Sequence, residues 1–205
     1  RRFLPAMGVP PGLLIEQPAH RETAPGIFLP AAHVLRRDPS ATLLILPSDH
    51  FVAPAEVFQA RLRQAALTAE RFPDKVVLLG ARPEGPESDY GWIEAVEGWA
   101  TASGAMPVRR FVEKPVPEVA ADLWSRGAFW NTFVMAVKAD ALWRLGRRLL
   151  PEMMAGFDRL LPVLGTAEES ASAAALFEHL PSRNFSRDVL ELVPGETLVL
   201  PLEGV

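Results

Sequence analysis

Three short stretches of this 205-residue chain set groups able to do chemistry directly beside apolar runs. Leu43-Leu44-Ile45-Leu46 leads into Pro47-Ser48-Asp49-His50, so a buried strand would deliver Asp49 to the rim of a sheet. A carboxylate there can hold Mg²⁺, a hard cation that takes one or two carboxylates and completes its shell with phosphates and water. The same position suits a turn or helix-cap aspartate ahead of Pro54, and His50 suits a plain surface histidine. Phe111-Val112-Glu113-Lys114-Pro115 ends a strand with opposite charges: the lysine can hold a phosphate as a point charge while the glutamate accepts from sugar hydroxyls. An exposed charged pair at a strand end has the same pattern. Trp130-Asn131-Thr132 precedes the run Phe133–Val137, and Asn131 both donates and accepts, which suits reading hydroxyls as well as entering a strand. Gly91, between Tyr90 and Trp92, either lets a ligand approach the backbone or marks a bulge.

Other chemistries are absent. Gly80 and Gly85 have the spacing of a P-loop, but Pro86-Glu87 stands where Lys and Ser/Thr are needed. There is no G-x-G, G-x-S-x-G, H-E-x-x-H or D-x-D, and no cysteine for a thiolate site, nucleophile or disulfide. A net charge of −4 leaves no basic surplus for a nucleic-acid backbone. No run approaches about 18 uncharged apolar residues, so no membrane span is expected. The basic residues are 18 arginines and only three lysines, which makes a lysine inside a motif more noticeable.

The elements that must position these groups follow from pattern. Leu13–Ile15, Leu43–Leu46, Val76–Leu79 and Phe133–Val137 lack polar alternation, as strands buried on both faces do. Phe58, Leu62, Ala65, Ala66 and Ala69 recur at helical spacing after Pro54, with Phe72-Pro73 as a stop. Further helices are expected over 139–150, stopping at Pro151, and more weakly over 120–126 and 168–179. Tyr90–Glu94 and Val108–Val112 read as edge or antiparallel strands. The expectation is one α/β domain over 1–205, with a mostly parallel mixed sheet flanked by helices. In such sheets ligands bind beyond the strand ends.

In order along the chain, these segments resemble the sugar-phosphate nucleotidyltransferases, most of all the mannose-1-phosphate guanylyltransferases. Glu16–Pro25 resembles E-P-x-x-R-N-T-A-P, Leu46–His50 resembles L-P-x-D-H, and Asp89–Ile93 resembles G-Y-G-Y-I. Phe111–Pro115 matches F-x-E-K-P, Trp130-Asn131 matches the start of W-N-S-G-M-F, and Phe185–Glu191 looks like S-I-D-Y-x-V-M-E. Glu22 stands in place of asparagine, Trp92 of tyrosine, Thr132-Phe133 of serine-glycine, and Arg187 of isoleucine.

The resemblance implies a Rossmann-like nucleotide-diphospho-sugar transferase fold and transfer of a nucleotidyl group from GTP to mannose 1-phosphate, giving GDP-mannose and pyrophosphate. It implies Asp49 as the Mg²⁺ ligand, with Asp49 and Lys114 catalytic. Gly91, Glu113, Lys114 and Asn131 would hold the sugar phosphate, and Arg21, Glu22 and Thr23 the base. The partners expected are GTP and a hexose 1-phosphate, without nucleic acid or membrane, in the cytoplasm; association into a homo-oligomer is left open. The family's glycine-rich start and its later W-x-D-x-G segment have no counterpart here. The expectation is therefore a domain incomplete at both ends and, taken alone, inactive. A non-catalytic relative that binds a sugar nucleotide and regulates a partner enzyme fits the same motifs.

Overall fold

Continuous apolar runs can be buried only if both faces of a sheet are covered, and this decides the layering. The computed structural model describes residues 14–204. Its strands are β1 (Thr42–Ile45), β2 (Val76–Ala81), β3 (Gly91–Ala95), β4 (Met106–Glu113), β5 (Phe129–Lys138) and β6 (Thr197–Leu202). They form one sheet in the order β1-β5-β2-β6-β4-β3, with β3 also paired to β5. The helices are α1 (Thr23–Arg37), α2 (Ala55–Arg71), α3 (Pro117–Ser125), α4 (Ala139–Leu149), α5 (Pro151–Leu160), α6 (Glu169–His179) and α7 (Phe185–Asp188).

Alternate residues of β2 and β5 feed opposite layers. Val76, Leu78, Met135 and Val137 join the larger core, together with Phe28 of α1, Leu142 of α4, Phe157 of α5 and Phe177 of α6. Val77, Leu79, Val134 and Ala136 pack with Ala65 and Ala69 of α2, whose small side chains bring that helix close to the sheet. A third cluster joins Trp92 and Ala128 to Ala120 and Leu123 of α3.

The expected α/β sheet flanked by helices is present, and its directions are mixed. β5 lies between β1 and β2 and opposes both, β3 opposes β4 and β5, and β4 opposes β6. β2 and β6 are the one directly parallel pair among the described strands, yet β1, β2, β3 and β6 all run the same way.

Other expectations change. Of Leu13–Ile15, Leu13 lies outside the described residues, and Leu14 and Ile15 are exposed and belong to no strand. β1 is not buried on both faces: Leu44 is 42% and Leu46 43% exposed, because β1 is an edge strand with β5 as its one described neighbour. No pattern marked α1, whose Pro25, Gly26 and Pro30 read as breakers. It is helical because Ala24, Ile27, Phe28, Ala31 and Ala32 bury one face, while Pro30 sits on the exposed side. Packing there outweighs an interior proline, which in isolation costs about 3 kcal/mol. Pro151, expected to stop α4, is also the first residue of α5, where proline's missing N–H costs nothing. α5 and β6 had no sequence expectation.

Candidate functional site

The site is built on a break in β5. Met135 pairs with Ile45, the last residue of β1, and Trp130 with Trp92, the second residue of β3. The stretch between them is flanked by the end of one strand and the start of another. On the opposite side the register to β2 shifts between Leu78 and Gly80, with Leu78 opposite Met135 and Gly80 opposite Asn131. β5 therefore bulges over 132–134. Side chains satisfy the backbone groups that the bulge frees. Thr132 Oγ1 donates to Leu79 O (2.7 Å) and accepts from Val134 N (3.2 Å), and Asn131 Oδ1 accepts from Phe133 N (3.1 Å).

Against this bulge the chain gathers the expected sugar-phosphate residues. Gly91 pairs with Glu113 across β3 and β4. A Cβ on Gly91 would lie 2.7 Å from Glu113 Oε2 and 3.2 Å from both Asn131 Cβ and Phe111 Cζ. Glu113, Gly91 and Asn131 thus converge from three strands, and any side chain at position 91 would have to displace the carboxylate that crosses the backbone there. Lys114 adjoins them: its N–H donates to Tyr90 O (3.3 Å), and its exposed ammonium makes no ion pair among the described residues. Loss of water around the Glu113 carboxyl raises its pKa, opposed by a hydrogen bond from Ser186 and by the charge of Lys114.

Two members of this cluster were not assigned roles from sequence. Ser186 lies in α7, and Glu191, just after it, accepts from the Glu113 N–H through Oε1. Their signal was the resemblance carried by Phe185–Glu191. Next to the cluster, Tyr90 lies against Trp130 at 4.9 Å between ring centroids.

Asp49 lies past the end of β1 and lines a cavity of about 730 Å³ together with Glu22, Thr23, Ile27, Leu46 and Phe133. Its carboxylate has no hydrogen bond or ion pair among the described residues. No group of three or more His, Cys, Asp or Glu able to hold a metal occurs among them either. Phe133, two residues after Asn131, borders both regions, and Thr23 Oγ1 accepts from Phe185 N (2.8 Å), beside Ser186.

Arg21, expected as a base contact, is engaged elsewhere in this structure. Its Nε donates to Phe177 O (2.8 Å) and its Nη2 to Glu178 O (2.7 Å), so the guanidinium fastens the end of α6 and is absent from the cavity wall. Unpaired carbonyls at a helix C-terminus attract a cation, and the motif alone does not reveal this competitor. Glu22 does line the cavity, and although it precedes α1 its side chain makes no capping hydrogen bond.

Backbone strain collects here too. Among the described residues the non-glycines at positive φ are Glu22 (66°), Lys114 (49°) and Phe133 (58°), all at this site. Each such residue costs about 1–3 kcal/mol, tolerated where surrounding contacts over-determine the conformation.

Comparison with known proteins identifies the family. The chain matches the nucleotidyl transferase family over residues 10–156. It is 37% identical over 138 residues to the xanthan biosynthesis protein XanB of Xanthomonas campestris pv. campestris (strain B100), covering 67% of this chain and 28% of that protein. It is 33% identical over 204 residues to mannose-1-phosphate guanylyltransferase ManC of Salmonella typhimurium (strain LT2), covering 93% of this chain and 40% of ManC. The chain thus spans well under half the length of these relatives. A crystal structure from Thermus thermophilus, named as a mannose-1-phosphate geranyltransferase, superposes with a TM-score of 0.79 at 30% identity, over 92% of this chain and 52% of that one. A Helicobacter pylori structure named as a mannose-6-phosphate isomerase shares the fold (TM-score 0.73, 19% identity). No helix among the described residues is long and apolar enough to cross a membrane. The shared fold and the match over most of the sequence lead to one statement: this chain belongs to the nucleotidyl transferase family.

Proposed function

We propose that this chain is part of a mannose-1-phosphate guanylyltransferase, which joins GTP and mannose 1-phosphate into GDP-mannose and pyrophosphate. The observation that carries this reading is the meeting of Gly91, Glu113 and Asn131 beside Lys114. A buried-edge carboxylate, an amide and an open backbone suit a hydroxyl-rich ring, and an unpaired ammonium next to them suits its phosphate. Glu113 accepts from sugar hydroxyls, Asn131 donates and accepts, and Lys114 holds the phosphate. On the far side of Phe133, Glu22 offers two acceptor oxygens to the N1–H and N2–H edge of guanine, with Thr23 beside it.

In the reaction a phosphate oxygen of the sugar phosphate attacks the α-phosphorus of GTP. The bond to the β-phosphate oxygen breaks, and pyrophosphate leaves with its electrons. Such transfers need little covalent chemistry from the protein; positioning and charge stabilisation do the catalysis. Lys114 orients the attacking phosphate and neutralises charge on it. Asp49 fits a Mg²⁺ ligand because its carboxylate is unengaged and lines the cavity, and a single carboxylate suffices where phosphates supply the other oxygens. Mg²⁺ bound there would offset phosphate charge.

The test is pyrophosphate release by the full-length protein with GTP, mannose 1-phosphate and Mg²⁺. The reading expects turnover that falls about 10²–10³-fold in Lys114→Ala, the usual cost of losing one charge-stabilising contact. Sugar-nucleotide binding without pyrophosphate release in the wild type would reject the enzyme in favour of a non-catalytic regulatory relative. A Lys114→Ala enzyme as fast as wild type would reject the site.

A further inference from the structure

Among the described residues, Phe133 is the one bulky residue placed in the left-handed backbone region inside a strand, at φ 58°. For an aromatic residue that conformation is a true outlier, normally left to glycine or asparagine. The protein maintains it with three side-chain hydrogen bonds, those of Asn131 Oδ1 and Thr132 Oγ1 within the bulge. The ring also packs edge-on against the buried Phe185, at 6.4 Å between centroids. Phe133 lines the cavity that holds Glu22, Thr23 and Asp49, whose wall also includes the aliphatic Ile27, Leu44 and Leu46 and the polar Gln17 and His20. A small residue would relieve the backbone and keep the bulge; an aromatic one held against that cost gives the cavity a flat, polarisable side.

We propose that Phe133 is a specificity-determining residue of the nucleotide side of the site, an aromatic wall against which the purine base of the nucleotide lies while Glu22 accepts from the base's N–H edge. A planar heterocycle carrying donors is the ligand chemistry that an aromatic face and a carboxylate in one cavity recognise together. The inference rests on the nucleotidyl-transfer reading and names the residue that grips the base.

Calorimetry on the full-length protein separates the two. GTP is titrated beside inorganic tripolyphosphate, which has the charge and no base, into wild type, Phe133→Leu, Phe133→Gly and Phe133→Tyr. Base–aromatic stacking corresponds to a loss of about 5- to 150-fold on removing the ring. Phe133→Leu and Phe133→Gly are expected to weaken GTP by that factor and leave tripolyphosphate unchanged, while Phe133→Tyr keeps both. GTP affinity unchanged in the leucine variant overturns the proposal, as does equal weakening of GTP and tripolyphosphate, which would mean that the ring acts through the fold. A wild type that binds tripolyphosphate and mannose 1-phosphate but prefers no nucleotide would overturn the nucleotidyl-transfer reading itself, and this inference with it.

Discussion

Adding a single methyl group to Gly91 tests the proposed sugar-phosphate cluster most directly. The Cβ of Gly91→Ala would lie 2.7 Å from Glu113 Oε2 and 3.2 Å from Asn131 Cβ and Phe111 Cζ. Phe111 is buried and Asn131 Cβ is tied to the β5 backbone, so neither yields easily. The carboxylate, at the end of a flexible side chain, must move. Overpacking of this kind costs about 1–3 kcal/mol, and the low end applies because one mobile group absorbs it. Replacing glycine also lowers the entropy of the unfolded chain, returning about 0.4–1 kcal/mol. Net stability should change by at most about 1 kcal/mol, roughly 2–4 °C in Tm for a domain of this size. Binding loses more. On the proposed function, a displaced Glu113 would forfeit charge-assisted hydrogen bonds to sugar hydroxyls, about 1.5–3 kcal/mol or roughly 10- to 150-fold. In the full-length protein, pyrophosphate release should show KM for mannose 1-phosphate raised by that factor with KM for GTP unchanged, beside a nearly unshifted melting curve. An unchanged sugar-phosphate KM would refute the assignment of Glu113. A fall in Tm of about 10 °C with both KM values raised, well beyond the 2–4 °C scale of a 1 kcal/mol change, would show instead that Gly91 serves packing alone.

Two further outcomes follow from the same geometry. The Glu113 carboxyl titrates above its ordinary range, chiefly through desolvation, so the folded state holds this proton more tightly than the unfolded state. Its ionisation therefore opposes folding, and the stability the bound proton gave at low pH is lost as pH rises through the raised folded-state pKa. Glu113→Gln should thus gain stability over wild type between about pH 4 and pH 7, read from urea midpoints, while losing sugar-phosphate binding; a stability difference equal at both ends of that range would contradict the assigned desolvation. Thr132→Val keeps the shape but leaves Leu79 O and Val134 N without their side-chain partner. It should cost about 1–3 kcal/mol in chemical denaturation and loosen Phe133, so a variant as stable as wild type would show that the bulge does not depend on that hydroxyl.

The legible part of this protein was the part dictated by local chemistry. Val76–Leu79 and Phe133–Val137 announced doubly covered strands because no polar side chain interrupts them, and the small and apolar face of α2 announced its packing. Glu113, Lys114, Asn131 and Gly91 stood out because few residue types combine charge, amide and backbone access at strand ends. What could not be read was whatever depends on distant neighbours. α1 forms through two prolines and a glycine only because α4 and α5 cover its apolar face. Arg21 belongs to the end of α6, 156 residues away in sequence, and no local pattern names that partner. Ser186 and Glu191 reach Glu113 from the far end of the chain. Composition and motif thus determined which groups are available and which runs must be buried, since these follow from side-chain polarity and backbone preference. The order of the strands, the β5 bulge and the strained φ of Phe133 were decided by tertiary structure, because only the folded sheet supplies the hydrogen bonds and packing that make such a backbone affordable.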